Sequence, residues 1–587
     1  MEAMTFQQVI ESRLLEAFAA AGIELPEGFK AQVVQSADLR FGDYQANSAM
    51  ALAKRLRMNP RELATQVVEA LQVEDLATTE IAGPGFINFR IKPEAWAGKV
   101  AELLGDERLG VEKVENPENI VVDFSAPNVA KPMHVGHIRS TIIGDSLSRI
   151  SRFLGHNVIT DNHIGDWGTQ FGMVIYGWKN LLDEAALKAD PLQELLRLYR
   201  GVNALCKEDE AVKDQCREEL VKLQSGDQEN YAIWEKCVEV SKLGLDKIYD
   251  RLEVTFDHWL GESYYNDALA PLVETMEKEG MARESDGALC VFSSGEGDPG
   301  NDPFKEKRDG EWSDLPMIIR KRDGGFNYAT TDIATVDYRL HEWNADKIWY
   351  VVDARQGLHF KQLFDVSKRR GCKAELKHVS FGTILGKDGK PLKTRDGDLP
   401  QLEDVLSDAI KQSRIVLEEK SGHLEEEEKE KLAEVIGLGA VKFTELSHHR
   451  ASDYIFDLEK MVALVGDTAP YLQNAYVRTR SIFRKLEEEV VLDSEGLTIT
   501  EDGEIHLSRI LSRFGEVLPS VLDDLRPNIL ANYLLDLAKA FHSFFEACPV
   551  LKSEGEVRKS RLVLCELTAR VLEKGLGLLG INVPERM

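Results

Sequence analysis

Apolar residues recur at every third or fourth position from Val9 to Ala20 and from Arg61 to Val73, the spacing of helices with one buried face. The run Phe86-Ile87-Asn88-Phe89-Arg90, entered through Gly83-Pro84-Gly85, reads as a strand behind a turn. These elements predict a small α+β domain over residues 1–112, whose charged stretch Glu107 to Glu118 reads as a linker. Beyond Asn119 strand-like and helix-like runs alternate. Ile120-Val121-Val122 and Asn157 to Thr160 look like strands around a helical run from Thr141 to Leu154, and a further strand covers Lys347 to Val352. A charged helical insertion occupies about 181–252. This alternation predicts a doubly wound α/β domain over 113–400, split by the insertion. From 401 to 587 the helical period persists, as in Leu534, Leu537, Ala538 and Phe541. Candidate helices there cover Val405 to Glu418, Glu425 to Thr444, Tyr471 to Glu488, Ile505 to Asp523, Ile529 to Ala547 and Ser560 to Lys574, which predicts an all-α bundle.

Composition narrows the class without naming a function. The 587 residues, 43% hydrophobic and 29% charged, describe an ordinary globular chain. No apolar run reaches membrane-spanning length and Met1 to Glu11 lacks a basic-then-apolar leader, so no membrane partner is expected. The cysteines, Cys206, Cys216, Cys237, Cys290, Cys372, Cys548 and Cys565, are scattered without Cys-x-x-Cys spacing. That dispersal argues against a disulfide framework or a structural zinc and fits a reducing cytoplasm. A formal charge of −28 is unusual for a nucleic-acid binder. Net charge governs solubility rather than any one face, so an RNA contact would need a local basic surface.

One loop carries the sharpest chemistry. Ser125-Ala126-Pro127-Asn128-Val129-Ala130-Lys131-Pro132-Met133-His134-Val135-Gly136-His137-Ile138-Arg139-Ser140 follows a strand and enters a helix. A helix N-terminus behind such a loop can hold phosphates, with His134, His137 and Lys131 donating and Gly136 allowing close approach of a nucleotide. Taken alone, His-x-Gly-His fits a pair of surface histidines equally well. A second basic stretch, Gly386 to Gly397, sets Lys387, Lys390, Lys393 and Arg395 among glycines. It reads either as a plain hairpin or as a mobile clamp on a triphosphate. Attack of a carboxylate on the α-phosphate of ATP needs alignment and positive charge around phosphorus, and these two loops would supply both.

The segment Ser125 to Arg139 resembles the "HIGH" signature of the class I arginyl-tRNA synthetases, and Asn162-His163-Ile164-Gly165-Asp166-Trp167-Gly168-Thr169-Gln170-Phe171-Gly172 is similar to that family's GDWGTQFG block. Gly466-Asp467-Thr468-Ala469-Pro470-Tyr471-Leu472-Gln473-Asn474-Ala475 resembles the block opening its anticodon-binding bundle. Leu39 to Gln45 and Gly83 to Phe89 look like its appended N-terminal domain. The resemblance implies a Rossmann-type catalytic domain, ATP with Mg²⁺ as the nucleotide, and L-arginine and tRNA(Arg) as partners. It also implies a monomer without structural zinc. By resemblance, Asp123 and Asp332 take the guanidinium and Tyr328 lines the pocket. Ser125, Asn128, His134 and Gln356 hold the amino acid's polar groups. The second signature of class I enzymes, Lys-Met-Ser-Lys-Ser, is replaced here by Leu392-Lys393-Thr394-Arg395, and Lys131 stands as a substitute for the missing lysine. The same resemblance puts Phe86 and Asn88 against the tRNA elbow and Tyr471, Gln473, Asn474, Arg478 and Arg480 on the anticodon face. Phe86 reads equally as a core residue of its small domain.

Overall fold

A computed structural model describes residues 5–36, 38–393, 399–420, 424–486 and 490–587. The first helix, Phe6–Ala20, starts at a reciprocal cap: the Thr5 hydroxyl accepts from the Gln8 N–H while the Gln8 side chain accepts from the Thr5 N–H. Its apolar stripe, Ile10, Leu14 and Phe18, is fully buried against an antiparallel four-stranded sheet. In that sheet Phe86–Ile91 lies between Tyr44–Ala46 and Ala77–Ala82. The stretch that reads as a linker is tied down on both sides. Arg108 donates to the Phe153 carbonyl, and Arg570 donates to the carbonyls of Leu104 and Asp106. Asp43 and Arg509 form an ion pair at 2.5 Å that joins the amino-terminal domain to the carboxy-terminal helices. One cluster of buried apolar side chains runs from Phe6 through Val122 to Ile581, so the three domains share a continuous core.

The central sheet is parallel and holds β1 (Asn119–Asp123), β2 (Asn157–Asp161), β3 (Lys347–Tyr350) and β4 (Glu375–His378), in the order β4-β3-β1-β2. Val121 and Val122 are fully buried, as expected of a strand covered on both faces. The helix Gly136–Leu154 carries the chain from β1 to β2, whereas β3 lies on the other side of β1. Connections diverge between β1 and β3, which opens a crevice at their carboxyl ends. There Asp123 is in register with Tyr350 on one side and Asp161 on the other.

The charged insertion divides into Glu184–Ala189, Pro191–Glu208, Glu210–Gln224 and Gln228–Leu252 because aspartates recur as caps: the side chains of Asp183, Asp190, Asp209 and Asp227 accept N–H groups at the four starts. Two elements were not resolved by the hydrophobic pattern. A three-stranded antiparallel sheet (Ala282–Ser285, Ala288–Val291, Met317–Arg320) and the hairpin Lys305–Arg308 with Glu311–Asp314 use strands of four residues each, too short for a period to register. The helix expected over Ile505 to Asp523 is interrupted at Arg513, giving Asp502–Ser512 and Phe514–Asp524. Beside that break the Gly110 carbonyl comes so near Gly515 that a Cβ there would lie 2.1 Å from it. No described helix is long and apolar enough to cross a membrane.

Candidate active site

Where β1 ends, the backbone is strained. Ser125, Ala126 and Ala130 have φ of 72°, 45° and 63°, left-handed values that cost non-glycine residues about 1 kcal/mol or more each. A web of buried hydrogen bonds holds them there. The Ser125 N–H donates to Ser140 Oγ at 2.8 Å, Ala126 to Asn162 Oδ1 at 3.1 Å and Ala130 to Ser241 Oγ at 3.0 Å. The Ser125 hydroxyl, expected to meet arginine, is buried between Thr141 Oγ1 and the Tyr249 hydroxyl at 2.8 and 2.7 Å. Its side chain therefore fixes the loop and is spent within the protein.

The imidazoles of His134 and His137 lie 3.9 Å apart, centroid to centroid. His134 Nδ1 accepts the Gly136 N–H, and His137 Nδ1 accepts the His134 N–H, each at 3.1 Å. Burial lowers both pKa values, that of His137 to about 3, so both rings are neutral at neutral pH. A neutral ring whose Nδ1 accepts carries its proton on Nε2, so each imidazole is set as an Nε2–H donor. The main-chain amides at the start of this helix are engaged within the loop. The Gly136 amide is committed to His134, and the amides of His137 and Ile138 donate to the carbonyls of His134 and Val135. Gly136 itself makes room for a ring, because a Cβ there would lie 2.9 Å from His134 Nδ1 and Cε1.

Acids gather at the other side of the crevice. Arg339, fully buried, donates from one Nη2 to Asp123 Oδ2 at 2.7 Å and Asp161 Oδ2 at 2.8 Å. Asp123, expected to take a substrate guanidinium, thus already holds one belonging to the chain, and its own side chain is only 7% exposed. Asp332 remains open, with 21% of its side chain exposed. Its Oδ2 is 2.5 Å from His359 Nε2 and its Oδ1 is 4.0 Å from His163 Nε2. Burial works against charge on His163, yet Asp123, Asp332 and Asp161 outweigh it and raise the ring's pKa. Burial raises the carboxyls of Asp123, Asp166 and Glu262 as well. Tyr328 stands one helical turn before Asp332 on Tyr328–His341, exposed and edge-on to His359 with centroids 4.8 Å apart. Asn128 and Gln356 are exposed on the loops that leave β1 and β3. Carboxylates outnumber cations here, and a bound cation would balance them.

Lys131 holds its ammonium 4.4 Å from the centroid of Tyr199 in the insertion. Burial, then the charges of Arg355, which follows β3, and of Lys131 lower the His134 pKa. The second basic stretch leaves the short strand Ile384–Leu385 as a tight turn, with Gly386 N–H donating to the Lys390 carbonyl at 2.7 Å. Lys390 and Lys393 are exposed; Arg395 lies outside the described residues. Pattern reading assigned no role to Arg339, His163, His359, Glu262 or Arg355. His163 stands inside the quoted Asn162-to-Gly172 block, whereas nothing local marks Arg339, which meets an acid 216 residues away.

Family models match three successive stretches: the arginyl tRNA synthetase N-terminal domain over residues 5–91, the class I (R) tRNA synthetase catalytic domain over 99–458, and the DALR anticodon binding domain over 472–587. The chain belongs to the class I arginyl-tRNA synthetase family. It is 46% identical to the arginine–tRNA ligase of Picosynechococcus sp., over 94% of this chain and 95% of that one. The arginine–tRNA ligase of Aliivibrio fischeri is likewise 46% identical, over 100% of both chains. Among solved structures, the arginyl-tRNA synthetase of Plasmodium falciparum superposes with a TM-score of 0.82 at 28% identity, covering 100% of both chains. The Thermus thermophilus arginyl-tRNA synthetase shares the fold at a TM-score of 0.80 and 24% identity, covering 99% of this chain and 100% of that one.

Within this arginyl-tRNA synthetase architecture, the residues expected to face RNA divide into two groups. Gln473 is fully buried and its Nε2 donates to the Val435 and Asn582 carbonyls, so it braces the bundle and is closed to RNA. Asn88 is 2% exposed, with its Oδ1 accepting from Gln45. Arg480 is paired with Glu566 at 2.6 Å and covers the Phe483 ring. Asn88 and Gln473 are thus closed to RNA by burial, whereas Arg480 keeps 28% of its side chain exposed beside its ion pair. Phe86, Tyr471 and Asn474 are half-buried, and Arg478 is exposed beside His542.

Proposed function

We propose that this chain is an arginine–tRNA ligase that activates L-arginine with ATP and then esterifies the 3′ end of tRNA(Arg). The observations that carry the reading are two Nε2–H imidazoles on the loop that leaves β1 and, about the end of that strand, an acid cluster joined through His163 to a partly exposed Asp332. A planar five-donor guanidinium suits carboxylates at fixed positions. Asp332 accepts it, Tyr328 lines its path, and Asp123 with Arg339 forms the charged floor. Asn128 and Gln356 orient the amino and carboxyl groups.

In the first step a carboxylate oxygen of arginine bonds to the α-phosphorus of ATP, and the bond from that phosphorus to the bridging oxygen of pyrophosphate breaks. His134 and His137 donate from Nε2 to phosphate oxygens as charge moves onto pyrophosphate, and Lys131, Lys390, Lys393 and Arg395 add positive charge around it. Mg²⁺ enters with the nucleotide and supplies charge neutralisation on its phosphates. In the second step a ribose hydroxyl of the tRNA attacks the arginyl carbonyl and AMP leaves. The carboxy-terminal helices with Tyr471, Asn474 and Arg478 take the anticodon side, and the amino-terminal domain with Phe86 takes another part of the tRNA. The protein acts as a cytoplasmic monomer. Editing is unnecessary, since smaller amino acids leave the acids unpaired.

Incubating the full-length protein with ATP, Mg²⁺, total tRNA and either arginine, lysine or glutamate tests this. Arginyl-tRNA alone should form; tRNA binding without esterification would leave a binding protein instead.

A further inference from the structure

Arg139 sits one turn inside the helix Gly136–Leu154, two residues after His137, and is 1% exposed. Its Nε lies 3.1 Å from Glu445 Oε2, on the helix Glu426–Ser447 of the next domain, and Glu445 too is 1% exposed. The Arg139 Nη1 donates to the Ser452 carbonyl at 3.0 Å, and the Tyr454 hydroxyl donates to Glu445 Oε1. Tyr454–Ile455 is the strand that pairs in parallel with Ile384–Leu385, from which the basic stretch departs at Gly386. The chain beyond that stretch is joined to the histidine loop: Val135 N–H donates to the Pro400 carbonyl and Leu402 N–H to the Met133 carbonyl, each at 2.9 Å. Ile384–Leu385 before the basic stretch and Pro400 and Leu402 after it are thus referenced to the histidine loop, the latter by main-chain bonds and the former through the Arg139–Glu445–Tyr454 node.

Stability alone is a poor reason for this node. A buried ion pair recovers its desolvation cost only when every polar atom is bonded. Here Arg139 Nε and Nη2 and Glu445 Oε2 lack hydrogen bonds, and burial pushes the Glu445 carboxyl up to about 7 despite Arg139 beside it. In some proteins a buried pair of charges serves instead to enforce one geometry.

Resting on the reading of this crevice as the ATP site, we infer that Arg139 and Glu445 are positioning residues for activation, which set the approach of the lysine-bearing stretch to the imidazoles. The lysines stand on a turn whose root moves with Tyr454. A shift at that root displaces their ammonium groups from the triphosphate and leaves Tyr328 and Asp332, on the helix Tyr328–His341, in place.

The test is arginine-dependent ATP–pyrophosphate exchange with full-length Glu445→Gln and Arg139→Lys, tRNA present, with KM for ATP and for arginine measured separately beside a thermal melt. Misplacement of reacting groups by about 1 Å costs up to ~100-fold, so Glu445→Gln should raise the ATP KM and lower kcat for a combined loss of about 10- to 100-fold. The arginine KM should hold steady, and Arg139→Lys should retain more activity than Arg139→Ala. A folded Glu445→Gln protein that loses arginine and ATP equally, or neither, overturns the inference. If single variants fail to fold, the charge-free pair Arg139→Met with Glu445→Met replaces them; wild-type ATP kinetics in that folded double variant would overturn it equally. Absence of exchange in the unmodified protein would instead remove the ligase reading.

Discussion

Replacing Asp332 by asparagine removes one charge and almost no volume, and the amide oxygen can still accept from His359. What is lost is the interaction with an incoming guanidinium and, at longer range, part of the charge that raises the His163 pKa. At an N···O separation near 3 Å and an effective dielectric of about 20, such a pair gains roughly 5–6 kcal/mol before desolvation. The Asp332 side chain is 21% exposed, so solvent reaches it, and the guanidinium must shed water on entering. Together these take back half or more, which leaves about 2–3 kcal/mol, or a ~30- to 160-fold rise in the arginine KM. Pyrophosphate exchange at saturating ATP, with tRNA present, measures it. The ATP KM and the melting temperature should stay where they are in the unmodified protein. A rise below about fivefold, the ceiling for a solvent-screened pair, would refute the assignment of Asp332 as the open acceptor.

Asp123→Asn should act differently, because Asp123 holds a fully buried arginine: breaking that pair costs about 3–5 kcal/mol of stability, seen by denaturant titration. An unchanged denaturation midpoint with a selectively raised arginine KM would show that the substrate, not Arg339, is its partner. Lys131→Ala should lower kcat for exchange and spare the arginine KM, and an unchanged exchange rate rules the substitution idea out. His137 has its pKa depressed from 6.5 to about 3 by burial, so the unfolded chain takes up a proton first as pH falls. Its contribution to stability is therefore whole above 6.5 and drains away towards 3, with about 2 kcal/mol gone at pH 5. Melts of the unmodified protein and His137→Asn at pH 7 and 5 check this: the variant should lose less, and parallel losses would contradict it. Gln473→Leu should lower the melting temperature, whereas Arg478→Ala should raise the tRNA KM and leave the melt alone; the reverse pattern would return Gln473 to the RNA face.

Long regular elements were readable from the chain because their period repeats often enough to be seen. The run Ile10, Leu14, Phe18 and the wholly apolar Ile120-Val121-Val122 left little choice of structure. The histidine loop was legible for a different reason, since its chemistry is contiguous. Asp123 shows the limit. Strand position put it at the crevice correctly, but its partner Arg339 lies on a distant helix whose sequence looks like any amphipathic surface. Buried amides misled in the same way. Asn88 and Gln473 stand among polar neighbours and satisfy partners, Gln45 and the carbonyls of Val435 and Asn582, that only tertiary packing supplies. His359 was invisible because its meaning is set entirely by the carboxylate opposite.

The missing side chain at position 136 is reserved for a neighbour. Since even one methyl group there would occupy the space that His134 Nδ1 and Cε1 fill at 2.9 Å, an alanine at 136 would evict the imidazole and leave its proton free to settle on either nitrogen. Any defect of such a variant would therefore be a histidine defect by proxy, and only side-by-side kinetics with a His134 variant could tell a blocked nucleotide from a misaimed ring.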